Sequence, residues 1–285
     1  MTHHGKEGNG LDVKHIFHPT DFTEESEMAF AHALKIALAA KANLNIFHVH
    51  EKRDDEEWTE FPSVRNMLIR WNLLPEGTSR DDVKTLGLGI QKIQGMKEDP
   101  VASILGYLES FENDLIVLAT HQQKGIDRLL HNAIAEPVAR LSKKMTLFVP
   151  QGQKGFVSPK DGAVNLRRVL IPVDQNPIPQ PALDAASALV QLLDGEGAEF
   201  TIVHVGSHND LPPYHFSKDH DWQWETLVAT GGVVEQILKT SEDRAADLIV
   251  MATQGHQGFL DALRGSTTER VLREAHCPIL AVPVE

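Results

Sequence analysis

Near the C-terminus, Ala252-Thr-Gln-Gly255-His-Gln-Gly-Phe-Leu-Asp-Ala-Leu-Arg-Gly265-Ser266-Thr267 leads into the helical run Thr268 to Ala275. Those residue types suit one chemistry. A phosphate is held by backbone N–H groups that approach it without an intervening Cβ, and a helix N-terminus adds unpaired N–H groups and a favourable dipole. Gly265, Ser266 and Thr267 at the head of a helix can do this. Taken singly, Ser266 or Thr267 is a plain helix cap and Gly255 a plain turn residue. On the single residues the cap-and-turn reading holds, and what remains is their combination, two glycines around residues 256–264 with hydroxyls directly after.

The elements that must position this segment are duplicated. Asp114-Leu-Ile-Val-Leu-Ala-Thr120 recurs as Asp247-Leu-Ile-Val-Met-Ala-Thr253, an offset of 133 that also relates Glu136 to Glu269 and Thr146-Leu-Phe-Val-Pro150 to Ile279-Leu-Ala-Val-Pro283. His15-Ile-Phe-His-Pro-Thr-Asp21 pairs with Arg168-Val-Leu-Ile-Pro-Val-Asp174 at an offset of 153, so the first copy carries about 20 extra residues, placed between Glu51 and Asp82. The Gly- and Pro-containing polar stretch 151–165 reads as a linker. The expected domains are 1–150 and 166–285.

Ile16-Phe17, Leu44 to Val49, Leu115 to Ala119 and Thr146 to Val149 are short apolar runs, as expected of strands covered by helices on both faces. Ser26 to Ala40 places Met28, Ala31, Leu34, Ala37 and Leu38 on one helical side, and Pro181 to Leu193 is its counterpart. Strands alternating with helices imply right-handed crossovers. The expected fold class is α/β, two tandem open doubly wound parallel sheets that bind ligands beyond the carboxyl ends of their strands. Asp21 and Asp174 after the first strand of each copy, and Thr120 and Thr253 after the Asp-Leu-Ile-Val strand, map to that edge.

With these residues in view, the chain resembles the universal stress protein family. Its nucleotide-binding members carry Gly, two residues, Gly, nine residues, Gly and then Ser or Thr after an apolar strand. Gly255, Gly265 and Ser266 match the later part, and Ala252 stands at the first glycine. The resemblance also covers the Pro-x-Asp after the first strand, His48-Val49 and His204-Val205, and the closing Val-Pro. It implies an adenine nucleotide α-hydrolase-like fold, two halves related by a pseudo-two-fold axis, and ATP, ADP or AMP as ligand, with magnesium as a candidate counter-ion.

By the same resemblance, Pro172, Val173 and Asp174 lie at the adenine and ribose end with Val205, while Ala252, Gly255, Gly265, Ser266 and Thr267 line the phosphates. The first copy has Gln122, Asn132 and Ala133 at the motif positions and is expected not to bind nucleotide in this manner. The family pairs its domains through their last strands, so Val149-Pro150 and Val282-Pro283 are expected to meet antiparallel as an internal pseudo-dimer. A homodimer is a further candidate assembly. The implied role is regulatory, in a stress response. The rival readings are a nucleotide-free interaction module and a slow ATPase or adenylyl-transferring enzyme.

Other features narrow the field. A net charge of -13, from 27 Lys and Arg against 40 Asp and Glu, would repel a nucleic-acid backbone. No apolar run reaches membrane-spanning length or forms a secretory leader, and a lone Cys277 cannot make an internal disulfide, so the expected location is cytoplasmic. Cys277 reads as a small buried hydrophobe rather than a redox group.

His48 and His50 share a strand face, and His18 and His121 are expected near them, which raises a zinc site. The bland reading, in which His48 fills the same strand position as His204 and the rest are solvated, leaves zinc out of the expected cofactors. His204, His208, His215 and His220 are a weaker cluster. Trp58, Trp71, Trp222 and Trp224 are expected in core or interface packing. No P-loop, dinucleotide fingerprint or catalytic triad is legible, and no catalytic residue is assigned.

Overall fold

The computed structural model describes residues 12–21, 26–49, 63–95, 99–120, 138, 142–216, 220–254 and 267–284. In chain order the elements are β1 (His15–Pro19), α1 (Glu27–Ala40), β2 (Asn43–Val49), α2 (Val64–Arg70), α3 (Arg80–Lys84), β3 (Gly89–Gly95), α4 (Pro100–Ser110), β4 (Leu115–Thr120) and β5 (Met145–Pro150). There follow β6 (Arg168–Pro172), α5 (Gln180–Leu192), β7 (Glu199–Val205), β8 (Gln223–Ala229), α6 (Val233–Asp243), β9 (Leu248–Gln254), α7 (Thr267–Glu274) and β10 (Ile279–Val284).

All ten strands form one sheet in the order β3-β2-β1-β4-β5-β10-β9-β6-β7-β8. Every neighbouring pair is parallel except β5 with β10, which run antiparallel through Leu147↔Leu280 and the pairs beside it. The fold is therefore α/β with a largely parallel sheet, and the order 3-2-1-4-5 is repeated in mirror sequence by 8-7-6-9-10. Pro150 and Pro283 lie beyond this three-pair ladder in the interior of the sheet, so they do not guard an open edge.

The inner strands are buried on both faces, as at Ile16, Phe17 and His18 in β1 and Val169, Leu170 and Ile171 in β6. On one face α1, α2 and α5 share a single apolar core that crosses from Phe30 and Leu34 to Leu183 and Leu189, with Leu147 and Leu280 between. On the other face α4 covers one cluster, including Phe17 and Ile116, and α6 and α7 cover another, including Leu170 and Ile249.

The repeated Asp114 and Asp247 act at the strand starts. Asp114 Oδ2 accepts from the backbone N–H groups of Lys14 and His15, both at 2.8 Å, and Asp247 Oδ2 does the same for Arg167 and Arg168 at 3.1 and 2.9 Å. Each carboxylate joins the beginnings of two parallel strands whose N–H groups would otherwise be unpaired.

Helix α1 is apolar on more sides than the one-sided pattern suggests. Phe30, Ala33 and His32 are buried with Leu34 and Ala37, and at His32 the cover comes from segment 151–165. His32 Nδ1–H donates to the Met28 carbonyl at 2.7 Å, which fixes the tautomer and leaves Nε2 to accept from the backbone N–H of Phe156 (3.0 Å) and of Val157 (3.2 Å). A Cβ at Gly155 would lie 2.2 Å from the His32 ring, so only glycine fits there. Trp71 Nε1–H donates to the Pro159 carbonyl at 3.1 Å. The stretch that reads as a linker is thus packed against the first half, with Phe156 and Val157 fully buried.

Candidate functional site

Strand order reverses at β1 and again at β6, the places where an open α/β sheet leaves a crevice beyond its strand ends. In the second half β6 pairs with β7 over all five residues but with β9 only through Val169↔Leu248 and Leu170↔Ile249. Beyond Leu170 the two strands separate. Pro172, Val173 and Asp174 stand on one side of the opening and Ala252, Thr253 and Gln254 on the other. The first half has the same geometry, with β1 and β4 paired only through Ile16↔Leu115 and Phe17↔Ile116.

Val173 is buried and its N–H donates to the Val203 carbonyl at 2.9 Å, continuing the β6–β7 ladder one residue past the strand. Its own carbonyl accepts from Nδ1–H of the buried His204 at 3.2 Å. Because a carbonyl only accepts, Nδ1 carries a proton in this bond, and the buried Nε2 has no hydrogen-bond partner among the described residues. A Cβ at Gly206 would lie 2.7 Å from this nitrogen, which accounts for the glycine after Val205. Asp174 is exposed at the lip, where its Oδ1 accepts from Gln175 N–H at 2.7 Å. Gln254 Nε2 donates to Asn176 Oδ1 at 2.8 Å and so links the end of β9 to the loop after β6.

The first half repeats the clamp and changes the filling. His48 Nδ1–H donates to the Thr20 carbonyl at 2.7 Å, the residue before Asp21, as His204 does before Asp174. His18, at the position of Ile171, has no counterpart in the second half. Its Nδ1–H donates to the Val117 carbonyl of β4 at 2.9 Å, and its ring packs on Phe30. Burial lowers the pKa of His18 to about 4, against the opposing pull of the Val117 bond and the Asp21 charge. A neutral imidazole therefore bridges β1 to β4 at the point where their ladder ends.

The universal stress protein family model matches residues 12–150 and 218–283, more than half of the chain. The chain belongs to the universal stress protein family. A family member from Methanocaldococcus jannaschii is 44% identical over 57 residues, 20% of this chain and 34% of that protein, so the match spans about a third of that relative. A Bacillus subtilis universal stress protein is 25% identical over 147 residues, covering 40% of this chain and 97% of its own. The solved structure of a universal stress protein from Archaeoglobus fulgidus superposes with a TM-score of 0.62 at 18% identity, over 97% of this chain and 98% of that one. At that identity the likeness establishes the fold.

Of the residues the family motif selects, Pro172, Val173, Asp174, Val205 and Ala252 all lie at the carboxyl edge of β6, β7 and β9, and Thr267 opens α7. Gly255, Gly265 and Ser266 lie outside the described residues, as do His50, Trp58, His121, Gln122, Asn132 and Ala133. The Ala252 methyl packs against the core shared with α1 and α5. Sequence reasoning gave His48 and His204 a shared strand position. Their role as carbonyl clamps beside the aspartates needed the structure, although the shared His-Val at the end of the second strand of each copy was the available signal.

Cys277 is buried beside Ser241, at 3.7 Å, and burial pushes its thiol up to about 11, which makes it a packing residue. Among the described residues no three His, Cys, Asp or Glu side chains converge as a metal site, and no helix is long and apolar enough to cross a membrane. Trp71, Trp222 and Trp224 pack against the main core.

Proposed function

We propose that the second half binds an adenine nucleotide, ATP or its di- or monophosphate, and that occupancy regulates the protein in a stress response. The observation that supports this most is the separation of β6 from β9 beside a carbonyl held by His204 and an exposed carboxylate, Asp174. Asp174 offers an acceptor for ribose hydroxyls, and the backbone around Val173 and Val205 offers groups for the base. The phosphates fall to Gly255, Gly265, Ser266 and Thr267, with magnesium as counter-ion. Ala252 packs against the core, which supports alanine as tolerated at that position of the motif.

In this reading residues 1–150 and 166–285 are two domains of one architecture, paired internally through β5 and β10, and the first domain is a regulatory partner without bound nucleotide. Turnover is expected to be slow. Phosphate release that disappears in Gly265→Val is the observation required for an ATPase.

The test is a calorimetric ATP titration of the full-length protein beside the same protein carrying Gly265→Val with Ser266→Ala. One site per chain, weakened at least about tenfold by the double substitution, is expected. A silent titration of the unsubstituted protein transfers the chain to the nucleotide-free interaction module.

A further inference from the structure

The two outer edges of the sheet carry equivalent strands with opposite chemistry. β3 is in register with β2 from Asn43↔Gly89, and β8 with β7 from Glu199↔Gln223, so Leu88, Ile90 and Lys92 occupy the positions of Trp222, Trp224 and Thr226. In the second half this face is filled. Phe200, Trp224 and Phe216 stack in succession at centroid separations of 4.1 and 4.7 Å, His220 stacks on Trp222 at 4.2 Å, and the Thr226 hydroxyl bonds Tyr214 at 2.8 Å.

In the first half the same face carries a cavity of about 790 Å³ between β3 and the short helices α2 and α3. Those helices belong to the longer connection from β2 to β3, residues 50–88, which in the second half is only 206–222. Leu88 and Ile90 give the cavity an apolar floor, and Arg65, Arg80, Lys84 and Lys92 line it, with Asp81 the one carboxylate among the described residues. Asp81 is paired with Lys84 at 2.8 Å. Arg65 and Arg80 make no ion pair among the described residues, whereas Arg70 of the same α2 pairs with Glu27 at 2.9 Å. In a chain of net charge -13, this concentration of cations runs against the average of the surface.

The cations also act on one another. Desolvation, then the Arg80 and Arg65 charges, hold the Lys92 ammonium below the ordinary lysine value. An anion held by Arg65 and Arg80 would be attracted by both guanidinium charges. Guanidinium forks match a phosphate in geometry and charge, and a cavity of this volume suits a small molecule rather than a polymer.

We infer that the cavity between α2, α3 and β3 binds a small organic phosphate, its phosphate held by Arg65 and Arg80 and its apolar body lying on Leu88 and Ile90. The site is separate from the switch-point cleft of the second half and stands whether or not that cleft holds nucleotide.

The experiment titrates the full-length protein calorimetrically with phenyl phosphate and with inorganic phosphate. Saturable binding of phenyl phosphate is expected, about tenfold tighter than inorganic phosphate because the ring buries apolar surface. Arg65→Gln with Arg80→Gln is expected to weaken it by about tenfold or more. Both side chains are exposed, so an unchanged melting temperature without ligand checks the fold of that variant. Arg70→Gln, outside the cavity, and Gly265→Val with Ser266→Ala, in the other half, leave the affinity unchanged. No saturable binding, equal affinity for the two probes, indifference to the paired arginine substitutions, or loss through Gly265→Val with Ser266→Ala would each overturn the assignment.

Discussion

The first and second halves of the sheet share a backbone and differ in what their side chains place at the same points. At the switch point a histidine clamps the carbonyl before the aspartate in each, His48 on Thr20 and His204 on Val173. Between the diverging strands the first half inserts His18 and bonds it to β4, where the second half has the apolar side chain of Ile171. At the outer edge the arrangement is reversed. The first half leaves a basic cavity where the second stacks Phe200, Trp224 and Phe216. A duplicated scaffold keeps the groups that fix backbone geometry and varies those that face a ligand.

Acid should separate the halves most strongly. His18 and His32 both belong to the first half, and burial lowers each to about 4 from an ordinary 6.5. A depressed histidine favours the neutral form in the fold, so its contribution is complete above pH 6.5 and is lost as pH falls from 6.5 to 4. The loss is about 3 kcal/mol per histidine. Protonating His32 also removes the acceptor of two backbone N–H groups. Urea unfolding at pH 7, 5.5 and 4 should show the decline, with amide exchange rising first in β1 and α1. A flat profile over that range contradicts the assignment.

The next effect tests whether segment 151–165 belongs to the first half's core. Phe156→Ala removes a fully buried ring set edge-on to His32, at 4.3 Å between centroids, and should cost about 3–5 kcal/mol in urea unfolding. A cost below about 1 kcal/mol, typical of an exposed position, would make the segment a free tether.

A smaller difference divides the paired aspartates. Asp247 has 10% of its side chain exposed and an added Arg168 contact at 3.2 Å, while Asp114 is 37% exposed. Asp247→Ala should therefore cost about 2–3 kcal/mol and Asp114→Ala about 1, since water replaces the lost acceptor more readily at the open position. Equal costs would mean that exposure does not set the difference.

Much of the architecture was legible from the order of apolar runs and the two fixed offsets. The runs at 44–49, 115–119 and 146–149 are each part of β2, β4 and β5, and Ser26 to Ala40 contains α1. The antiparallel meeting of β5 and β10 also followed from the resemblance, although the contact is centred on Leu147 and Leu280, upstream of the prolines. Side-chain function at the switch points was less visible. A histidine one residue before the end of a strand gives no hint of which carbonyl it reaches, because that carbonyl is 28 or 31 residues away along the chain. Segment 151–165 reads as a linker from its Gly and Pro content, and its packing against the first half is not visible in that composition. Gly155 and Gly162 are in fact small to admit His32 and Trp71. The basic cavity escaped notice because Arg65, Arg80 and Lys92 are scattered in sequence and converge only through the register of β3.

Nucleotide recognition by the second half alone, as proposed, is tested most directly by a paired ATP titration of full-length Asp21→Ala and Asp174→Ala proteins. A single site, weakened at least about tenfold by Asp174→Ala and unchanged by Asp21→Ala, is the predicted result. Two sites, or equal losses from the two substitutions, would contradict it.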